Sequence, residues 1–222
     1  MRASREKMDM WTLRKYVNTK NEDSVLLEQP NYQKSSQSGQ NIKTGFDLFL
    51  NKNTTLGLVF TGGIFNRRAT SIAEINWMDP YYKIDSSINT WGNNNRKFKR
   101  GGVNANGRFK LDEGSELAVD LDYVSFTIIG DQQYQTQLVA PGSDIELTKG
   151  DIPAKLNIYS AKVDYSKRFK KFLLETGLKT AHNKTDNLAE YYLATNNNPW
   201  QPDLRRSNHF LYNETISAAY AS

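Results

Sequence analysis

Glu116-Leu117-Ala118-Val119-Asp120-Leu121-Asp122-Tyr123-Val124 decides how this chain is read. Side chains of an extended strand point alternately to opposite faces. Leu117, Val119, Leu121 and Tyr123 therefore fall on one side, and Glu116, Ala118, Asp120 and Asp122 on the other. The stretch is a two-faced strand, apolar on one side and polar on the other.

The same alternation recurs outward from it. Tyr159, Ala161, Val163 and Tyr165 oppose Ser160, Lys162, Asp164 and Ser166, with tyrosines toward both ends of the apolar stripe. Phe172, Leu174, Thr176 and Leu178 oppose Glu175, Gly177 and Lys179, and Phe210, Tyr212, Ile216, Ala218 and Tyr220 oppose Leu211, Asn213, Thr215 and Ser217. Upstream, Ile42, Phe46, Leu48 and Leu50 alternate with Lys43, Gly45, Asp47 and Asn51. Leu56, Leu58 and Phe60 follow, and Val103, Ala105 and Phe109 mark a weaker apolar face. About seven strands result, near 41–50, 54–65, 98–111, 116–129, 156–167, 172–182 and 207–220.

Their connections alternate between short and long. Short turns sit at Asn51-Lys52-Asn53, Asp112-Glu113-Gly114-Ser115 and Arg168-Phe169-Lys170-Lys171, and long polar loops fill 66–97, 130–155 and 183–206. A meander whose two ends face different surroundings has this form; in outer-membrane barrels the periplasmic turns are short and the extracellular loops long. Roughly ten residues at about 3.3 Å each, tilted about 45°, cover roughly 23 Å, close to the height of such a barrel's apolar band. The sequence thus predicts an all-β, antiparallel up-and-down meander that forms a portion of a transmembrane outer-membrane β-barrel.

Composition is compatible with that reading. Mean hydropathy is low, and no run of about 18 apolar residues exists to form a transmembrane helix. A barrel dilutes its apolar residues by alternation. Twelve Tyr, ten Phe and four Trp are ample for aromatic girdles, and the absence of cysteine excludes disulfides, zinc-thiolate sites and thiol nucleophiles. The net charge of +5 comes largely from clusters at strand ends, such as Arg67-Arg68, Arg96 to Arg100 and Lys167 to Lys171. These read as solvated polar ends, so nucleic acid is not an expected partner.

The segment Met1 to Asn21 is rich in charge and holds no apolar stretch of the kind a secretion signal needs. An odd number of strands leaves open sheet edges, which cannot face hydrocarbon. The expectation is an interior portion of a larger barrel at 31–222, with 1–30 left unassigned between a short helix, a tail and an unrelated start.

Several residues invite chemistry. Asp120 and Asp122, with Glu116, share one face and could form an acid/base pair or hold a cation, yet the same stripe is the polar lumen face of a barrel strand. His182 and His209 are the only histidines, too few for a histidine-rich metal site. Gly57, Gly62, Gly63, Gly101, Gly102 and Gly107 lack a phosphate-loop context and mark bends or close packing. Neither metal nor cofactor is expected, and the chain is read as not an enzyme. An enzyme would require Asp120 and Asp122 in a cleft.

The stretches 41–57, Ile158 to Tyr165, Glu175 to Thr180 and Arg206 to Glu214 resemble the outer-membrane β-barrel family of TonB-dependent-receptor-like proteins of Bacteroidota. The resemblance runs over about 31–222. It implies a location in the cell outer membrane and a role in nutrient binding or import. It further implies outer-membrane lipid, a plug domain and the remaining barrel strands as partners, together with TonB, engaged through an N-terminal region that this sequence lacks. The chain alone is not expected to transport.

Ligand contacts are expected in the long loops. Trp77, Tyr81, Tyr82 and Trp91, with Asn93 to Asn95, combine flat aromatic faces with amides, and Tyr191, Tyr192, Asn196 to Asn198 and Trp200 do so again. Such surfaces hold sugars or flat chelates, although packing at an outer girdle uses the same residues. The alternative to a barrel is a soluble β-rich glycan-binding module, which would have to bury the Leu117/Val119/Leu121 face against a second sheet.

Overall fold

The computed structural model describes residues 2–17, 24–196 and 198–222. They form one ten-stranded antiparallel sheet, with no helix among the described residues. The strands are β1 (Arg2–Val17), β2 (Ser24–Asn51), β3 (Thr54–Met78), β4 (Ile84–Asp112), β5 (Ser115–Leu138), β6 (Ile145–Asp151), β7 (Ala154–Arg168), β8 (Leu173–Thr195), β9 (Gln201–Pro202) and β10 (Asn208–Ala221). β1 to β5 pair in chain order, β6 and β7 lie end to end between β5 and β8, β9 and β10 both pair with β8, and β1 and β10 are the outer edges of the sheet.

The three short turns lie where the sequence places them. At the first, Asn51 Oδ1 accepts the Asn53 amide at 2.8 Å. At the second, Gly114 adopts φ +96°, a conformation that favours glycine. The third is closed by Phe169 stacked on Phe172 at 4.6 Å, with the Phe169 amide donating to the Phe172 carbonyl.

The long loops are corrected by the structure. Residues 66–97 are mostly strand: β3 and β4 continue outward in register from Asn66↔Lys97 to Trp77↔Ser86 and close on a turn at 79–83. There Asp79 Oδ1 accepts the amides of Tyr81 and Lys83. Residues 130–155 contain the end of β5, all of β6 and the start of β7, and 183–206 the outer half of β8 and β9. Backbone pairing carries these hairpins, whose sequences have little apolar alternation to announce them. The unassigned N-terminal segment supplies β1 and the start of β2, which runs through residue 30 without a break; residues 18–23 lie outside the described residues.

Strands of 24–29 residues (β2 to β5) exceed the roughly 9–11 that span a bilayer. The excess stands above the membrane as outer hairpins. The formal break between β6 and β7 is one strand interrupted at Pro153, since the register with β5 is the same at Asp131↔Asp151 and Ile128↔Ala154. Leu188 donates to the Pro153 carbonyl at 3.1 Å, but proline has no N–H to return the bond.

Pairing sets the faces. Phe109, Leu117 and Tyr165 lie opposite one another in sequence across β4, β5 and β7, as do Ala105, Leu121 and Ala161 two rows on. Val119, Val163 and Leu178 continue the apolar face into β8. Asn106, Asp120, Lys162 and Lys179 share the other side. The apolar side is the more open one: Ile42 is 67 %, Phe46 62 % and Leu178 64 % exposed, whereas Asp120, Asp122 and Asp164 are half-buried. The buried hydrophobic residues among those described are only Leu26, Ala69, Met78 and Ala194. No second sheet covers the Leu117/Val119/Leu121 face among the described residues, so the soluble-module alternative lacks the burial it requires.

β10 departs from its expected facing. Pro202 pairs with Tyr192 and Asn208 with Ala189, so the five residues 203–207 stand opposite two, Glu190 and Tyr191, an excess of three. An odd excess exchanges the faces of everything that follows. Phe210, Tyr212, Ile216, Ala218 and Tyr220 consequently share the side of Asp164 and Lys179, and Leu211, Asn213, Thr215 and Ser217 take the apolar side. The excess is pinned by Asp203, whose Oδ1 accepts the Arg205 amide and whose carbonyl accepts those of Arg206 and Ser207.

Candidate functional site

The polar face is a connected surface. Asn106 Nδ2 donates to Asn104 Oδ1 at 2.8 Å, Asn104 Nδ2 to Asp122 Oδ1 at 2.8 Å, and Ser160 Oγ to Asp122 Oδ2 at 3.1 Å. This ladder crosses β4, β5 and β7 and satisfies both carboxylate oxygens of Asp122. Beside it Lys162 Nζ lies 2.6 Å from Asp164 Oδ2, and the Tyr220 hydroxyl donates to Asp164 Oδ1. Gly57 makes room for the neighbouring amides, because a Cβ there would lie 2.5 Å from Asn106 Oδ1 and 2.8 Å from Asp47 Oδ1. Such a face binds water, solutes or a polar protein surface through fixed donors and acceptors.

At the short-turn end, Asp112 accepts the Ser115 hydroxyl and lies 3.5 Å from Lys167 Nζ. The Ser115 bond, with the lysine charge second, holds its carboxyl below the ordinary carboxylate range.

The outer hairpins carry two clusters. In the first, Glu28 accepts from Trp11 Nε1 at 2.8 Å and from Asn76 Nδ2 at 3.2 Å, and the Ser87 hydroxyl donates to Asn76 Oδ1. One carboxylate and one buried amide thus tie β1 to β4 above the apolar band. In the second, Lys149 Nζ lies 4.6 Å from the Trp200 ring centroid and 4.9 Å from that of Tyr192, a cation held by two π-faces.

The aromatic residues expected to bind ligand are all on the outer hairpins but do not converge. Tyr81 (89 % exposed) and Tyr82 sit in the 79–83 turn. Trp77 pairs with Ser86, while Trp91 pairs with Ile72, five residues from Trp77 along β3 and therefore on the opposite face. Tyr191 packs against Gly150, facing away from its neighbour Tyr192. Trp200 joins Tyr192 and Lys149. Of the amides, Asn196 donates to Asp144 at 2.6 Å and accepts the Ile145 amide, and Asn197 lies outside the described residues. Lys149 escaped the sequence reading, because only the β6–β8 pairing Lys149↔Tyr192 brings it to the aromatic pair.

A sheet with its apolar side outward, its polar side hydrogen-bonded and its spanning strands joined by tight turns at one end defines a transmembrane β-barrel protein. Residues 107–222 match the outer membrane protein beta-barrel family, just over half of the chain, and the chain belongs to that family. Its location is the cell outer membrane. No curated protein matches it. Among solved structures it is similar to the outer membrane protease OmpT from Escherichia coli, at 15 % identity and a TM-score of 0.33 over 99 % of this chain and 77 % of that one. It is also similar to the beta domain of the Bordetella autotransporter BrkA, at 8 % identity and a TM-score of 0.15 over 99 % and 98 %. CarO2 from Acinetobacter baumannii shows 11 % identity and a TM-score of 0.13 over 98 % and 100 %. The expectation that the chain is not an enzyme is not carried further: the first of these proteins is described as a protease, and a likeness at this TM-score assigns no activity to this chain.

Proposed function

We propose that this chain forms part of an outer-membrane receptor barrel of the TonB-dependent type, which binds or imports a nutrient. The observation that carries the proposal is the Asn106–Asn104–Asp122–Ser160 ladder, a fixed polar wall of the kind that a plug domain or a hydrated solute path packs against. The edges β1 and β10 are the places where further strands would complete the wall, because an unpaired backbone edge is costly in hydrocarbon. Trp77, Tyr81, Tyr82, Trp91, Tyr191 and Trp200 are the ligand contacts, distributed over the outer hairpins.

The test is uptake of a defined panel of oligosaccharides and ferric chelates by cells carrying the protein, with and without a functional TonB. Accumulation that requires both supports the proposal. Accumulation indifferent to TonB across the panel, or none at all, overturns it.

A further inference from the structure

Four lysines stand on three successive same-face rows of the outward side. Lys99 pairs with Thr127, which pairs in turn with Lys155; Lys97 pairs with Ile129; and Lys184 pairs with Asn157. Thr127 and Ile129 share the side of Tyr123, and Asn157 and Lys155 the side of Tyr159, by the period-two rule. All four lysines therefore project from the face that carries the apolar band, and all are exposed.

Their height follows from the strands. Tyr123 and Tyr159, with ring centroids 4.9 Å apart, end the apolar stripe on the long-hairpin side. Two to six residues further on, at about 3.3 Å each and about 45° tilt, the lysines stand roughly 5–14 Å above those rings. Tyrosines of a girdle sit at head-group level, so the lysines lie where lipid phosphates do.

Charge supports the same level. Among the described residues none of the four lysines forms an ion pair. The carboxylate facing Lys155, Asp186, is held by His209 Nε2 at 2.8 Å. Asp131, Asp151 and Glu190 pair across β5, β6 and β8 one same-face step beyond Ile129, and bound the basic row on its outer side. At the short-turn end the outward Lys167 is engaged by Asp112, and the exposed Lys52, Lys170 and Lys171 lie in the turns themselves, beyond the strands that carry the apolar face.

From this placement we infer that Lys97, Lys99, Lys155 and Lys184 form an exterior binding row for the phosphate groups of outer-leaflet lipid. Phosphate on a lipid is delivered to this height by the bilayer itself, which free phosphate is not. The inference rests on the outer-membrane placement and is independent of the nutrient reading.

The test extracts the protein from outer membranes in polymer discs that retain native lipid, and counts phosphorylated glycolipid per chain by mass spectrometry. Wild type is compared with a variant carrying all four lysines as glutamine and one carrying them as arginine. The inference expects glycolipid to fall in the glutamine variant, by up to about fivefold per lysine, and to be kept by the arginine variant. Equal glycolipid in all three overturns it. Should the glutamine variant be absent from the membrane, single Lys99→Gln and Lys155→Gln proteins are compared, and unchanged glycolipid in both overturns the inference. In a parallel arm, wild type in phosphatidylcholine bilayers is heated with lipid A or with inorganic phosphate at equal phosphate concentration. A melting shift with lipid A alone supports the lipid as source, and an equal shift with inorganic phosphate overturns that source.

Discussion

Tyr220 reaches past Gly177 of β8 to place its hydroxyl on the Asp164 carboxylate of β7. The contact requires the aromatic stripe of β10 to lie on the polar face, and the three-residue excess at 203–207 delivers it there. Cysteine placement reads the facing directly. Ile216→Cys is expected to react with a water-soluble maleimide and Ser217→Cys to be shielded or labelled from the lipid side; the reverse pattern would place Tyr220 in lipid. Deleting Leu204 makes the excess even, and should exchange the two reactivities.

Gly177 is the space that this contact uses. A Cβ there would collide with the Tyr220 ring, so Gly177→Ala should displace the tyrosine and lower its near-ultraviolet circular dichroism while far-ultraviolet strand content persists. An unchanged tyrosine signal would show that the ring lies elsewhere.

Leu121 and Asp122 are adjacent and face opposite surroundings, which makes them a matched pair of probes. Leu121→Arg puts a charge on the lipid side and should cost about 2–4 kcal/mol if it lies near the midplane. Asp122→Leu strands Asn104 Nδ2 and Ser160 Oγ without their acceptor, a loss of about 1–3 kcal/mol. Urea unfolding in lipid vesicles measures both, and a neutral Leu121→Arg would contradict the outward placement of that face.

Acid should weaken the short-turn end through Asp112. Its folded carboxyl titrates below its ordinary value of 3.8 because of Ser115 and Lys167. The stabilisation is therefore complete above that value and is lost as pH falls through the lower folded pKa. Asp112 and Lys167 are open to solvent, which keeps the effect small. Wild type and Asp112→Asn should differ in unfolding midpoint at pH 6 and converge in strong acid; a gap that widens on acidification would contradict the assignment.

Without detergent the chain should aggregate, since β1 and β10 are edges and the Ile42, Phe46 and Leu178 side is open. Light scattering and gel filtration with and without detergent decide this. A monodisperse, cooperatively melting monomer in water would mean that these surfaces find partners within the chain.

The spanning part of the fold was legible because one face there is apolar and the other is not. Leu117 to Tyr123 and Tyr159 to Tyr165 give alternation, and the short turns β2–β3 and β4–β5 hold Asn51 and Gly114, residues whose conformations end strands. The outer hairpins were not legible, because stretches such as Ser35 to Ser38 or Asn93 to Asn95 are polar on both faces and hydropathy has no contrast to report. The facing of β10 escaped for a different reason: alternation shows that a strand has two faces, but the count of residues in the preceding bulge decides which way each looks. The cluster of Lys149, Tyr192 and Trp200 depends on the β6–β8 pairing of Lys149 with Tyr192, 43 residues apart in the chain.

The near-absence of a buried apolar core has a consequence for how such a chain travels. Its folding free energy resides in the match between an outward apolar surface and hydrocarbon, so in water the polypeptide has little internal reason to collapse into a finished shape. The same alternation spreads its apolar residues so thinly that no segment is caught in a membrane as a helix on the way. A wall that is stable only at its destination can be carried there unfolded, and its arrival in the bilayer is the event that folds it.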